Sequence, residues 1–298
     1  CINMTLQKQK PKIGCNRGMI KRTFQSKGVK YASELALSNV RALKKIIEWN
    51  NANGIKVYRM TSCLFPWFSE YDIFTMPDID AIVDVMSEAG QIAMSGGQRL
   101  SFHPGPFNCL GSPNEDVVKK TIAELDAHSV QMDLMGLPES PQAKINIHVG
   151  GAYGEHDKTL DRFCRNFTRL SPNTQDRLTV ENDDRASLFS TKMLYNGLSS
   201  RIGTPIVFDS HHHDLGPQDS TYKEAFYMAR ETWQRRGIKQ QCHHSNSKKF
   251  YEDSSVRASA HSDWYYTPFE NFGEDVDVVL ECKKKERALL KYKQDFQN

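Results

Sequence analysis

Val207 to Leu215 reads VFDSHHHDL, and five ionisable residues fall within six of its positions: Asp209, His211, His212, His213 and Asp214. Three of the ten histidines in the chain stand side by side there. Imidazole and carboxylate at that density are the donors of a divalent-metal site. The same residue types recur at the ends of other apolar runs. His103 closes RLSFH, His148 is next to last in KINIHV, and Glu181 closes LTVE. Asp209 closes PIVFD, His243 closes KQQCH, and Glu281 closes DVVLE. One such residue alone is an ordinary hydrogen-bonded strand end. Six together are another matter, because clustered carboxylates repel one another unless positive charge holds them. The donor set lacks thiolate, which suits Zn2+, Mn2+ or Fe2+ better than Ca2+ or Mg2+ alone. So many donors exceed the needs of one ion. Two or three ions sharing carboxylates fit better, and that arrangement serves in-line attack on a phosphodiester. Adjacent loop residues cannot all point inward, so one of His211, His212 and His213 is expected to be the principal ligand.

Those six residues must be brought to one place by the elements that carry them. The β-type runs are 55–60, 99–103, 144–149, 178–181, 205–209, 239–243 and 277–281. Helix-forming segments precede the first three, at 33–51, 78–94 and 114–135. Strands alternating with helices imply parallel βαβ units. The expected fold is α/β, a single (β/α)8 TIM barrel spanning 1–298, in which every strand C-terminus lies on one rim. Seven runs are visible. The eighth, the first in the barrel, is expected to precede or include Cys1, so that it is truncated. Residues 245–275 form a long polar, aromatic-rich connection, expected to be an active-site loop. HVGGAYGE places Gly150, Gly151 and Gly154 in a turn where backbone could approach phosphate closely; an ordinary tight turn explains them as well.

Composition narrows the class of protein. No window approaches the roughly 20 apolar residues of a membrane span, and no signal peptide is visible. Seven cysteines without C-x-x-C spacing argue for reduced thiols and an intracellular protein, nucleus and cytoplasm being equally open. Residues 1–33 hold eight Lys or Arg and no acid, while the remainder carries 31 basic against 36 acidic residues. Such a basic segment suits a polyanionic partner; a solvated, partly disordered tail is the alternative.

GQRLSFHPGPF (97–107), INIHVGGAYGEH (145–156), LTVENDDR (178–185), PIVFDSHHHDL (205–215) and VDVVLECK (276–283) together resemble the UV damage endonucleases, over nearly the whole chain and in order. The resemblance implies a barrel like those of endonuclease IV and the xylose isomerases. It implies a nick 5′ to UV photoproducts (cyclobutane pyrimidine dimers, 6-4 photoproducts) in double-stranded DNA, leaving a 3′-hydroxyl and a 5′-phosphate. It also implies a ligand set: His103, His148 and Glu181 on one ion; Glu181, Asp209, His243 and Glu281 on a second; His212 and His261 on a third. Glu181, Glu281 and His103 carry the catalytic role. The metal is expected to be manganese, with zinc or cobalt as alternatives. Pro106 and Phe107 stand where bacterial members have a Gln-Tyr pair that wedges into the duplex, and Phe107 keeps the stacking surface. Asn3, Gly150, Gly151 and Tyr153 complete the expected DNA-facing set. Gln241 replaces a lysine that the family often carries two residues before His243. His211, His213 and His244 are left without an assigned role. A monomer acting on damaged DNA, with no membrane partner, is the expectation. An abasic-site endonuclease or a sugar isomerase on the same barrel would use many of the same residues.

Overall fold

The computed structural model describes residues 13–296. Asn3, Lys8, Lys10, Lys12 and any strand at the chain start lie outside the described residues. All seven β-type runs form strands: β1 (Val57–Arg59), β2 (Arg99–Ser101), β3 (Ile145–Ile147), β4 (Leu178–Glu181), β5 (Ile206–Asp209), β6 (Gln241–His244) and β7 (Asp277–Leu280). Each is shorter than its apolar run or equal to it. His103 and His148 therefore sit just past their strands, where Pro104 and the Gly150–Gly151 turn end the ladder.

Pairing is parallel throughout. β1 pairs with β2, and β3 to β7 pair in chain order. A parallel bridge from Phe102 to Ile145 joins the two sheets, with the Phe102 amide donating to Lys144 O and the Asn146 amide to Phe102 O, both at 3.0 Å. The sheet curls until β1 lies beside β7, and an ion pair spans the two, Arg59 Nη1 to Glu281 Oε1 at 2.6 Å.

The expected helices form as α1 (Lys21–Ala52), α2 (Ile79–Ser95) and α3 (Glu115–Leu134). α1 starts twelve residues earlier than its pattern suggested, with a break at Gly28, whose φ is 62°. The basic segment is thus no free tail over residues 21–33: Lys21, Arg22, Lys27 and Lys30 lie on a helix, and Ser33 is buried with its hydroxyl donating to Asp78. Helices α4 (His156–Phe167), α5 (Ser210–Leu215), α6 (Tyr222–Gln234) and α7 (Glu286–Phe296) follow later strands. Apolar faces such as Leu43, Ile46 and Ile47 of α1 and Ile82 and Met86 of α2 pack into one continuous core with the strands. No described helix is long and apolar enough to cross a membrane.

Candidate metal centre

β4 delivers Glu181, 1% exposed, to the middle of the rim. Side chains from four neighbouring elements converge on it. His103 Nε2, after β2, is 3.1 Å from Glu181 Oε2. His243 Nδ1, on β6, is 3.0 Å from the same oxygen. His212 Nδ1, on α5, is 3.2 Å from Oε1, and His148 Nε2, after β3, is 3.9 Å from it. The Asn146 amide also donates to Oε2. Three groups of donors lie within 4.8 Å of one another: His103, Glu181 and His243; His148, Glu181 and His212; and Asp209, His243 and Glu281.

The expected ligands therefore meet, in a different partition. His103 groups with His243 instead of His148, because both rings face Glu181 Oε2 while His148 faces Oε1. His212 groups with His148 and Glu181, not with His261. His261 lies at the edge, its Nε2 3.8 Å from Glu281 Oε2. The triple histidine stands on a helix, not a loop. Successive residues there turn by roughly 100°, which separates the three. His212 faces Glu181, His213 packs on Phe208 and Tyr222, and His211 lies 5.5 Å from the His261 ring. His244 points away from the cluster, its ring held between Ser210 Oγ and Thr267 O.

The donor chemistry fits divalent cations. Asp209 Oδ1 caps α5 by accepting the His212 amide at 2.9 Å, while its buried Oδ2 has no hydrogen-bond partner. His243 Nδ1 is also buried without one. Native interiors seldom leave such atoms unsatisfied. The electrostatics agree. Burial alone would raise the Glu181 pKa, but the charges of His243 and His148 and the hydrogen bonds from His103 and His212 hold it well below the usual carboxylate range. Glu281 is likewise brought down to about 2 against burial, by Arg59 first and then His243 and His261. Burial pulls the His148 and His212 pKa values down, yet the surrounding carboxylates outweigh it and raise both. His103 goes the other way, to about 3, through burial and the Arg59 charge. Opposed shifts within one buried cluster make it a functional-site candidate.

Sequence reasoning missed Arg59, Asn146, Asp183 and Lys144. Asp183 Oδ1 is 3.0 Å from His148 Nδ1. Lys144 is fully buried, its amine 3.2 Å from His243 Nε2 and brought down to about 7 by burial, which the Glu181 charge only partly offsets. Lys144 and Asn146 precede His148 at two-residue steps, so the strand period could have found both. Gln241 sits on the face of β6 that carries His243, buried, with Oε1 unpartnered.

Beside the cluster, Phe107 is 88% exposed. Its mount is rigid: Asn108 Nδ2 donates to Gly105 O and Glu124 Oε1, and the Cys109 amide to Thr121 Oγ1. Pro106 precedes it in the same loop. Gly150 has φ 94°, and a Cβ there would meet Cys109 Sγ at 2.5 Å, so this glycine locks the β3 loop against the loop of Phe107. Tyr153, 49% exposed at φ 51°, packs its ring over Gly151. These glycines have structural reasons of their own. In the 245–275 connection, Glu252 accepts the amides of Asp263 and Trp264, which pins the segment that presents His261.

The chain is an α/β protein whose curled parallel sheet carries an imidazole–carboxylate cluster on its C-terminal rim. L-ribulose 3-epimerase shares this fold at a TM-score of 0.55, with 12% identity over 87% of this chain and 82% of that one. The chain belongs to the family described as UV-endonuclease UvdE, which matches residues 1–298. A crystal structure titled SacUVDE superposes with a TM-score of 0.81 at 28% identity, covering 96% of this chain and 93% of that one. The UV-damage endonuclease of Schizosaccharomyces pombe is 33% identical over 97% of this chain and 49% of its own length. The UV DNA damage endonuclease of Bacillus velezensis is 29% identical over 85% and 79%. The chain spans about half the length of the fungal relatives it matches.

Proposed function

We propose that the chain is a metal-dependent DNA-repair endonuclease that cuts the phosphodiester 5′ to UV photoproducts in duplex DNA, leaving a 3′-hydroxyl and a 5′-phosphate. The observation that carries this reading is the junction of a buried carboxylate–imidazole cluster with Phe107, an exposed aromatic on a rigid mount four residues from His103. Membership of the UvdE family and the names of its relatives support it.

In this reading His103, His148, Glu181, Asp209, His212, His243, His261 and Glu281 would hold two or three ions, manganese first. Bound there, divalent ions would neutralise phosphate charge and lower the pKa of a nucleophilic water. The protein's part is preorganisation. Glu181 and Glu281 stay ionised inside the rim, and Asp183 orients His148. Phe107 fills the gap left when a weakly stacked dimer leaves the helix, a departure that costs less than extruding sound bases. Gly150, Gly151 and Tyr153 shape the adjacent DNA face, and the basic face of α1 offers phosphate contacts. The closed eight-stranded barrel, with the chain as one monomeric intracellular domain, belongs to the same proposal.

The test is nicking of a duplex carrying one thymine dimer in Mn2+, beside undamaged and abasic-site duplexes. Dimer-dependent cutting immediately 5′ of the lesion, lost in Glu181→Gln and with chelator, is expected. Cutting at the abasic site alone would move the specificity. Turnover of an aldose, with every duplex left intact, would overturn the reading.

A further inference from the structure

We infer that Arg185 and Lys283 form a clamp on the DNA backbone, each holding a phosphate near the one that is cut. This rests on the nuclease reading above and adds two residues that the reading does not use. Both are exposed cations just past strand ends that deliver carboxylates. Arg185 comes four residues after Glu181 of β4, and Lys283 two residues after Glu281, which follows β7. Backbone length bounds their reach, since four residues span at most about 14 Å and two about 7 Å. Phosphates of one strand recur about every 3.4 Å along the duplex axis. Each head group therefore stands within a few phosphates of one bound at the cluster. β4 and β7 are three strands apart in the sheet, so the cations flank the donors and do not share one spot.

Their exposure is what calls for a partner. Glu181, Asp183, Asp209 and Glu281 are all buried on this rim, yet neither cation folds back onto them. The Arg185 side chain is 71% exposed, and its only ion pair among the described residues is a long one, Nε to Asp184 Oδ1 at 3.9 Å. Lys284 pairs with Asp263 at 3.3 Å, while Lys283 beside it makes no ion pair among the described residues. The mounts are fixed. The Asp183 amide donates to Phe189 O at 2.9 Å and the Leu188 amide to Arg185 O at 3.0 Å, which closes the loop that carries Arg185. His156 Nε2 lies 3.1 Å from Ser187 O and ties that loop to α4. The Lys283 amide donates to Ser262 O at 3.0 Å, next to His261. A cation held on a rigid mount gives up little freedom on binding, and a guanidinium can meet a phosphate with two parallel N–H groups.

The test is kcat/KM for nicking of a thymine-dimer duplex in Mn2+, measured over a salt series with the whole chain, R185Q and K283Q. Circular dichroism checks folding and visible absorption checks cobalt uptake. Each variant is expected to lose roughly tenfold at low salt and to flatten the slope of log kcat/KM against log salt by about one. The same proteins are then given duplexes in which one phosphate at a time, among the three on either side of the cut, is a neutral methylphosphonate. Wild type should lose roughly tenfold at the phosphate that Arg185 holds, where R185Q loses no more than about twofold further. K283Q should show the same loss of sensitivity at a different phosphate. Unchanged salt slopes, or losses that simply add at every position, overturn the inference alone. A variant that no longer takes up cobalt moves its residue into the metal centre and overturns the clamp. A wild-type chain that nicks no duplex overturns the nuclease reading first and this inference with it.

Discussion

Glu281 depends on Arg59, and the pair is mostly buried. Arg59→Met leaves that carboxylate inside the rim without its closest cation. Breaking a buried pair from one side costs about 3 kcal/mol or more, so urea unfolding in chelator should show a loss of that order, partly restored by manganese. Undiminished stability in chelator would mean that the imidazoles alone suffice. Acid acts on the same groups. The folded pKa of Glu281 is about 2 against an ordinary 4.5. Its contribution to stability is present above pH 4.5 and lost as the pH falls toward 2. Glu181 shifts in the same direction, and His103, held neutral to about 3, loses stability from pH 6.5 downward. Below pH 6.5, where the raised His148 and His212 already contribute in full, the metal-free protein should therefore weaken steadily on acidification, and Glu281→Gln should flatten the part of that slope below pH 4.5. Residue types at strand ends were enough to pick out six of the side chains that converge on the rim, because carboxylates and imidazoles recur at the ends of successive apolar runs. Arg59 and Lys144 escaped, since a lone cation in an apolar strand gives no sign of which carboxylate or ring it will reach.

The short helix α5 binds two functions to one side chain. Asp209 Oδ1 caps the helix and Oδ2 points, unpartnered, into the cluster. Asp209→Asn keeps a good cap while replacing the second oxygen or its charge. It should hold thermal stability in chelator close to wild type and lose metal affinity. Asp209→Ala should lose both, with about 1 kcal/mol for the cap. Equal metal affinity in Asp209→Asn would remove Asp209 from the ligand set. Short apolar β-type runs made the seven strands of the described residues legible, because most of their residues are buried on a curled sheet. The helix at 210–215 was not legible. Three histidines and an aspartate have modest helix propensity, and it is the Asp209 cap and the packing of His213 on Phe208 that hold the turn.

On the scale of the molecule, the loops after β2 and β3 form a rigid shoulder beside the cluster, locked at Gly150 and Cys109. Phe107→Ala should leave folding and cobalt uptake unchanged while reducing the preference for dimer-containing over intact duplex at least tenfold, read by competition binding at fixed salt. An unchanged preference would assign discrimination to another surface. Parallel alternation announced the barrel-like sheet and its working rim, but not the partition of donors among groups, which depends on which Glu181 oxygen each imidazole faces. Glu181 belongs to two of the three groups and His243 to two. Ions sharing ligands in this way would not load as independent equilibria: the first to arrive displaces protons and fixes side chains that the next requires. Metal content should then climb in a sigmoid, and a chelator should strip the centre as a unit, so that preparations read as active or inert with little between.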